Sequence, residues 1–389
     1  MTRVLELSAQ AAGGVRAHIR QVSQLLAKDG HQVLLAGPGN VISPAPGAVG
    51  GACLRTYQID IGARPSGADL KALRQLKQLA ATVEVIHAHG LRAGALAVLA
   101  AKRLPAAKRP RVVVTLHNLP VGSAPTRLVG KALQLVVVKG ADYVLTVSPD
   151  LLEKAKQLGL EAGEIAVVPA PARGCVDCSC MDHAAQPEIS QDSAQSSDAG
   201  SGVDSGSGYG ASSDTDCDAA PCLLTIARLA PQKGLDLLLE AAALIKQRGI
   251  DFTWLVAGDG PLKAQLNQQI AAAALPVKLL GRREDIGALL SQADVVVQTS
   301  YWEGQPLTLR EAMQAGRAIV ATDVGGSAYT LAGCGQLVEP QAGPLADAVV
   351  AVISDPKRRE SLEAASRAAV AKIPGETQLR EQLDRVLKL

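Results

Sequence analysis

The sequence predicts an α/β protein built from two doubly wound parallel sheets. Short apolar segments that suit buried strands alternate with segments of helical periodicity along most of the 389 residues. A Ser-, Gly- and Asp-rich stretch over 174–221 interrupts this alternation and is too polar to form a packed core. We therefore predict a first domain over 1–173, a disordered linker or insertion over 174–221 and a second domain over 222–389, whose last helix could pack back on the first domain.

The first body opens with an apolar segment over 4–8, a Gly-containing turn and a helical stripe. The stripe runs through Val15, Ile19, Val22 and Leu26, the spacing of the buried face of a helix. Further strands are predicted over 32–36, 83–87, 112–116 and 143–147, and further helices over 68–80, 92–103, 126–138 and 149–158.

The second body repeats this alternation. Strands are predicted over 222–227, 252–257, 277–280, 295–298 and 318–321, and helices over 234–248, 261–274, 306–316, 342–354 and 357–371. Open α/β sheets bind ligands beyond the carboxyl ends of their strands. Two such sheets that face each other therefore predict a ligand cleft between the domains.

Charge is distributed unevenly along the chain. The formal net charge is +2, but residues 174–221 hold nine acidic residues and no Lys or Arg, which leaves +11 on the rest. A basic body suits an anionic ligand or an anionic membrane surface, although solvation of helix faces is the alternative for most of these residues. With only 2 Trp, 5 Tyr and 1 Phe, the chain lacks the aromatic residues that stack nucleic-acid bases, so we expect no nucleic-acid partner.

Neither a membrane span nor a metal site is expected. No apolar run reaches the roughly 18 residues that a membrane helix needs, and the N-terminus lacks the pattern of a signal peptide, so we expect a cytoplasmic protein. The cysteines and histidine at 175, 178, 180 and 183 could be interpreted as a zinc cluster, but free thiols in the polar stretch are the alternative that we favour. Asp214 and Asp216 have no strand before them that could position a metal.

Two strand ends carry residues suited to phosphate. Arg228 and Lys233 follow the strand predicted over 222–227, and Gly234 opens the next helix. Arg can grip oxygens as a fork and Lys acts as a point charge, so this pair suits a diphosphate; two solvated basic residues are the alternative. Gly13 and Gly14 follow the first strand, where glycine permits close approach of a ligand but is also typical of a tight turn.

The stretch over 301–316 is the most informative. Glu303 ends a loop, and Pro306 lies near the start of the helix that carries Glu311. The first-turn amides of this helix would be available to a phosphate, and the two glutamates could receive hydroxyl groups on either side of it. For Glu303 the alternative is an ordinary interaction with the helix dipole.

Six motifs occur in one order along the chain. They are Gly13-Gly14, Val85-Ile-His-Ala-His89, Thr115-Leu-His117, Arg228-x4-Lys233-Gly234, Gly258-Asp-Gly-Pro261 and Glu303-x7-Glu311. This set resembles family 4 of the retaining glycosyltransferases over nearly the whole chain outside 174–221. The resemblance implies the GT-B fold, with two Rossmann-like domains facing across a cleft. It also implies transfer of a sugar, a hexose in our prediction, from a nucleotide-diphosphate sugar to an acceptor hydroxyl with retained anomeric configuration, without metal or other cofactor.

The resemblance also implies roles for residues of the second domain. It places Arg228 and Lys233 on the donor diphosphate, Glu311 on the ribose hydroxyls and Glu303 at the transferred sugar. The segment around the sugar and phosphate would be Gly304, Gln305, Pro306, Leu307 and Thr308.

In the first domain, the resemblance implies that Gly13 and Gly14 close over the donor. It places His117 beside the reacting carbon, in contact with a sugar hydroxyl. His89 is an acceptor-side candidate, for which a packed or capping histidine is the alternative. No carboxylate is evidently placed as a nucleophile, so we expect attack from the front face of the sugar.

The acceptor is the least determined partner. Members of the family include enzymes that act on lipid-linked acceptors, and the basic first domain would be attracted to anionic lipid. We therefore predict peripheral contact with the inner face of the membrane and a role in cell-envelope glycolipid or polysaccharide synthesis, with a soluble acceptor as the alternative. For the whole chain, the alternative function is a non-catalytic two-lobed nucleotide- or sugar-binding protein.

Overall fold

The computed structural model describes residues 1–11, 13–43, 53–62, 67–117, 124–169 and 220–389. Almost all of the predicted linker lies outside these residues, as do Cys175, Cys178, Cys180 and His183. Predictions about them therefore remain predictions.

Seven parallel strands form the first sheet. They are β1 (Arg3–Ser8), β2 (Gln32–Gly37), β3 (Leu54–Gln58), β4 (Val85–His89), β5 (Arg111–Leu116), β6 (Tyr143–Thr146) and β7 (Gly163–Ile165). Their order is β3-β2-β1-β4-β5-β6-β7, which is doubly wound with its switch point between β1 and β4. The helices of this domain are α1 (Gly13–Lys28), α2 (Gly39–Ile42), α3 (Ala68–Ala80), α4 (Leu91–Lys102), α5 (Ala124–Val138) and α6 (Pro149–Gln157).

Six parallel strands form the second sheet. They are β8 (Cys222–Ile226), β9 (Thr253–Ala257), β10 (Val277–Gly281), β11 (Val295–Gln298), β12 (Ala318–Thr322) and β13 (Gln336–Val338), in the order β10-β9-β8-β11-β12-β13. The helices are α7 (Leu235–Gln247), α8 (Lys263–Ala272), α9 (Ile286–Gln292), α10 (Leu307–Gln314), α11 (Ser327–Leu331), α12 (Ala342–Ile353), α13 (Pro356–Ala369) and α14 (Glu376–Leu387). The predicted α/β class with two doubly wound sheets is confirmed.

Each sheet is covered by helices on both faces. In the first domain, apolar residues of α3, α4 and α5 pack on one face, and those of α1 and α6 pack on the other. The C-terminal helix α14 also joins that second face, where Leu379, Leu383 and Val386 are buried against residues of β1, β4 and α1. In the second sheet, α7, α8 and α12 cover one face and α9, α10, α11 and α13 the other.

The structure differs from the prediction mainly at β4 and at the sheet edges. β4 spans Val85–His89 rather than 83–87, because it pairs with β1 from Val85 opposite Val4 to His89 opposite Ser8. The edge strands β3, β7 and β13 were not predicted; β3 is largely exposed and has no apolar alternation. Among the helices described, none combines the length and hydropathy that a bilayer crossing requires.

Candidate active site

The loop between β8 and α7 carries the two predicted diphosphate ligands. Arg228 is exposed at its start, and Lys233 ends a short 3-10 turn. Gly234 follows with a φ of 59°. A Cβ at this position would lie 2.0 Å from the carbonyl oxygen of Thr299, so the loop can pack on the end of β11 only with glycine here.

Glu303 is the buried acid of this site, with 6% of its surface exposed. Its Oε1 accepts hydrogen bonds from Lys233 Nζ and from Ser300 Oγ, both at 2.6 Å. The residues predicted to contact the sugar and the diphosphate are therefore direct neighbours, joined by an ion pair.

A narrow cleft, with about 10 Å³ of space for water-sized groups, lies at the carboxyl ends of β8 and β11. Lys233, Ser300, Glu303 and Thr308 contribute polar groups to its lining. This is the position at which a doubly wound sheet is expected to hold a ligand.

Helix α10 begins at this cleft. We predicted Pro306 as the first residue of this helix, whereas it is the N-cap, and no side chain within the described ranges caps the first turn. Its free N–H groups and the positive end of its dipole are therefore available to an anion beside Thr308. Glu311 lies one turn further along, on the same face as Leu307 and half-buried.

The side chain of Gln305 does not line this cleft. Its Nε2 donates to the carbonyl oxygen of Ala166 in the first domain at 2.7 Å, and its Oε1 accepts from Arg310 Nη2 at 2.5 Å. Arg310 is 2% exposed, and its Nε and Nη1 find no hydrogen-bond partner among the residues that the structure describes. Burial lowers the pKa of Arg310 to about 10. Any contact of Gln305 with the donor is thus left to its backbone, because its side chain joins the domains.

Glycines permit close contact between the two domains. A Cβ on Gly14 would lie 3.3 Å from Leu307 Cδ1, so the start of α1 lies against the start of α10. A Cβ on Gly304 would lie 2.6 Å from Val147 Cγ2. Gly13 begins α1 with a φ of 59°, a conformation that favours glycine. The predicted glycine pair therefore faces the helix that carries Glu311.

Between α1 and the first sheet lies a buried polar cluster that we call the histidine layer. Its members are Glu6, His18, His87, His89, Thr115 and His117. Glu6 Oε2 lies 2.7 Å from His89 Nε2, and Glu6 Oε1 lies 3.1 Å from His87 Nδ1. His87 Nε2 lies 2.8 Å from Thr115 Oγ1, and His89 Nδ1 lies 3.3 Å from His117 Nε2.

Burial governs the ionisation of this layer. Burial opposes ionisation of Glu6, but the charge of His87 and the hydrogen bonds from His87 and His89 outweigh it and lower the pKa of Glu6 to about 2. Burial, reinforced by neighbouring positive charge, lowers the pKa of His18 to about 3 and that of His89 to about 4. The pKa of His117 also lies well below its usual value, because of burial and the other histidines. These three imidazoles are therefore neutral at pH 7.

His117 and His89 differ in access. His117, directly after β5, is 7% exposed and lies near Gly304 at the junction of the domains. His89 lies behind it, between Glu6 and His117, and is 2% exposed. This burial favours the alternative interpretation of His89 as a packed histidine over direct contact with an acceptor.

Glu6, His18, His87 and Arg310 were not predicted. Glu6 stands inside an otherwise apolar strand, which was the one available signal for a buried polar site. Three donor atoms, from Glu6, His87 and His89, lie within 4.8 Å of one another, a spacing that could also hold a metal ion. The short distances from Glu6 to both rings are those of hydrogen bonds.

Solved structures identify the architecture. HepE of Anabaena in complex with UDP has a TM-score of 0.70 and 19% identity, with 100% of both chains covered. Sucrose-phosphate synthase of Thermosynechococcus elongatus has a TM-score of 0.72 and 17% identity, over 100% of this chain and 98% of that one. The protein thus has the GT-B fold of these two-domain proteins.

Curated relatives match shorter stretches. Alpha-D-kanosaminyltransferase of Streptomyces kanamyceticus is 34% identical over 152 residues, which cover 37% of this chain and 39% of the relative. Phosphatidyl-myo-inositol mannosyltransferase of Mycobacterium tuberculosis is 35% identical over 150 residues, covering 36% and 39%. The matches thus span about two fifths of the relatives' length.

Family models match both domains. The model described as Glycosyl transferase 4-like domain matches residues 13–171, and the model described as Glycosyl transferases group 1 matches residues 220–355. The chain belongs to the group 1 glycosyltransferases of the family 4 type.

Proposed function

We propose that this protein transfers a hexose from a nucleotide-diphosphate sugar to an acceptor hydroxyl, with retention of anomeric configuration and without a metal. The observation that carries the proposal is the Lys233–Glu303 ion pair, set in the cleft where the uncapped helix α10 begins. The family match and the names of the curated relatives support catalysis over the non-catalytic binding protein considered above.

The proposed donor site neutralises the leaving group. Cleavage of the anomeric bond places negative charge on the departing diphosphate. Lys233 and the first-turn amides of α10 lie at the cleft, and Arg228, exposed on the same loop as Lys233, would add a second cation to the diphosphate. Glu303 would then accept a hydrogen bond from a sugar hydroxyl while it shares Lys233 with the diphosphate. Glu311 would bind the ribose, as the family motif implies.

Front-face attack accounts for retention in this proposal. A double displacement needs a free carboxylate at the anomeric carbon. Glu303 is paired with Lys233 and Ser300, and Glu6 is fully buried between two histidines. Neither offers such a nucleophile. The departing diphosphate would therefore take the proton of the acceptor hydroxyl on the same face.

Turnover of a nucleotide sugar by the Lys233→Ala variant tests the proposal. Loss of one electrostatic donor commonly lowers the rate by about 100- to 1,000-fold. Lys246→Ala is the matched control. Lys246 lies in the last turn of α7, at the end away from Lys233, and its Nζ donates to the carbonyl oxygens of Ala273 and Ala274. Turnover that survives the Lys233 change at its original rate would remove Lys233 from the donor site.

A membrane-associated acceptor is the finer part of the proposal. Helices α3 and α5 present exposed apolar side chains beside exposed cations: Leu70, Leu128, Val129 and Leu135 with Lys71, Arg74, Lys77 and Lys131. Each cation near an anionic surface contributes about 1 kcal/mol, and the apolar side chains add insertion at the headgroup level. The relative from Mycobacterium tuberculosis is named for a lipid, phosphatidyl-myo-inositol, which supports a lipid-linked acceptor here.

Co-sedimentation with phosphatidylcholine vesicles of graded phosphatidylglycerol content tests this surface. Bound protein should rise with anionic lipid at low salt and fall as salt is added. Lys71→Glu should weaken binding, whereas Lys357→Glu, on α13 of the second domain, should not. Binding that is indifferent to anionic lipid would favour the soluble acceptor.

A further inference from the structure

A chain of hydrogen bonds leads from the buried carboxylate of Glu6 to His117. It passes from Glu6 Oε2 to His89 Nε2 at 2.7 Å, and from His89 Nδ1 to His117 Nε2 at 3.3 Å. A branch runs from Glu6 Oε1 to His87 Nδ1 at 3.1 Å. In these bonds His89 uses both ring nitrogens, and His87 and His117 use one each. The position of each ring proton therefore follows once the protonation at one end of the chain is known.

The Glu6 end is known from its chemistry. An ionised carboxylate only accepts hydrogen bonds. The ring nitrogens that face Glu6 must therefore both carry hydrogen: Nε2 of His89 and Nδ1 of His87.

The protons on Glu6's neighbours in turn fix the protonation of His117. Neutral His89 carries a single ring proton, and Glu6 holds that proton on Nε2, so its Nδ1 has a lone pair. His117 Nε2 must then be the donor in the bond between the two histidines. Neutral His117 is left with a lone pair on Nδ1.

The remaining nitrogen of His117 is Nδ1. No described residue is a hydrogen-bond partner of this atom, and His117 as a whole is 7% exposed. Its backbone carbonyl oxygen lies 3.7 Å from the position of a Cβ on Gly304, so the residue stands at the domain junction. Nδ1 is thus the atom that His117 can offer to a ligand.

We propose that Glu6 is a positioning residue that, through His89, holds His117 in the Nε2–H form, so that His117 Nδ1 accepts a hydrogen bond from a hydroxyl group of the donor sugar. This inference rests on the proposed function. It also narrows the substrate class. A lone pair at this position attracts a hydroxyl and repels a carboxylate or phosphate oxygen, so the geometry selects a neutral hexose over a uronic acid or a sugar phosphate.

The deciding measurement is the protonation of the ring nitrogens. A long-range 1H–15N correlation spectrum of protein labelled with 15N-histidine at pH 7 distinguishes the two tautomers and the imidazolium. His89→Gln and His117→Gln variants assign the signals. We expect the Nε2–H form for both residues. An Nδ1–H form or an imidazolium at His117 would overturn the proposal. Because this readout needs no substrate, it is independent of the proposed function.

Reversal of the histidine tautomers along these hydrogen bonds tests whether they affect binding of the sugar. In Glu6→Gln the amide offers one acceptor and one donor group, so either His87 or His89 must face it with a ring nitrogen that carries no hydrogen. Thr115→Val removes the partner of His87 Nε2 and makes a hydrogen on that buried atom costly. The double variant Glu6→Gln/Thr115→Val should therefore reverse His89, and with it His117.

The binding measurement compares the affinity for a nucleotide sugar with the affinity for the free nucleotide, and the ratio is the gain that the sugar contributes. Titration calorimetry with UDP against UDP-glucose, and with GDP against GDP-mannose, measures this gain. We expect the double variant to lose about 3- to 10-fold of it, the effect of one neutral hydrogen bond, and to bind the free nucleotide unchanged. Thr115→Val alone is the control and should retain the gain.

Three outcomes separate the explanations. A double variant that reverses His117 but keeps the full sugar gain would overturn the proposal. Stoichiometric zinc in the purified protein, lost in Glu6→Gln, would also overturn it, because His87 and His89 would then be metal ligands. Failure of the parent to bind any nucleotide would instead contradict the proposed function and leave the spectrum to decide the tautomer.

Discussion

Mild acid should destabilise the first domain because of the histidine layer. The pKa of His89 is lowered to about 4, that of His18 to about 3, and that of His117 well below its usual value, in each case mainly by burial. As the pH falls below about 6.5, the unfolded chain binds a proton at each of these positions and the folded protein does not. Stability is therefore complete at pH 7 and falls as the pH decreases.

The magnitude follows from the number of protons. Each unmatched proton lowers the free energy of unfolding by about 1.4 kcal/mol per pH unit, so the three histidines together give at most about 4 kcal/mol per pH unit. Small domains have only about 5 to 15 kcal/mol of stability. Glu6, whose pKa is about 2, adds a further loss of the same sign once the pH falls below about 4.5.

Urea unfolding at several pH values between 7 and 5 measures this slope. Circular dichroism follows both domains. Tryptophan fluorescence follows the second domain through Trp254 and the domain junction through Trp302, which bonds Asp150 of the first domain. His18→Gln should reduce the slope by about a third, since it removes one of the three protons. A free energy of unfolding that is constant between pH 6.5 and 5 would refute the burial of these histidines as neutral groups.

Three further predictions concern the domain junction, the metal and the linker. Gly304→Ala should open the contact with Val147 and cost about 1 to 3 kcal/mol; Val147→Ala should restore turnover in the double variant, and its failure to do so would place the defect elsewhere. Sugar transfer should survive EDTA, since the proposed leaving-group site uses cations of the chain; loss on chelation that Mn²⁺ restores would contradict this. Replacement of residues 174–221 by a short Gly/Ser linker should preserve folding and transfer, and a folded but inactive product would give this stretch a direct role.

The interior strands could be predicted from sequence because burial on both faces leaves long apolar runs. Strands β5, β9 and β11 were predicted to within a residue or two for this reason. Edge strands lack that signal: β3 has exposed Arg55 and Tyr57 and is held by its register with β2. β4 was placed two residues early, because His87 and His89 interrupt the apolar run and are buried only through their hydrogen bonds to Glu6.

The residues of the candidate site also divide into those that the sequence could predict and those that it could not. Arg228, Lys233, Glu303 and Glu311 form motifs with fixed spacing, so their presence at strand and helix ends could be anticipated. Glu6 and Arg310 have no such spacing. They become recognisable only where the fold brings β1 against β4, or α10 against the segment that holds Ala166.

The loop that carries Glu303 is held from both domains. Trp302 Nε1 donates to Asp150 Oδ2 at 3.1 Å, and Gln305 Nε2 donates to the carbonyl oxygen of Ala166 at 2.7 Å, both in the first domain. Between these two bonds stands Glu303, which is fixed to Lys233 of the second domain. Separation of the domains would break the two flanking bonds, while Lys233, Ser300 and Gln232 of the second domain would still hold the loop.

The contacts at the domain junction therefore add to the positioning of Glu303 by its own domain. Lys233 and Ser300 hold the Glu303 carboxylate from the second domain, and Asp150 and Ala166 hold the flanking residues from the first. Under the proposed function, a donor bound to the second domain alone would meet Lys233 and Glu303 without a nearby His117. Contact between the domains would then be needed to complete the site, which limits donor cleavage before the first domain is in place.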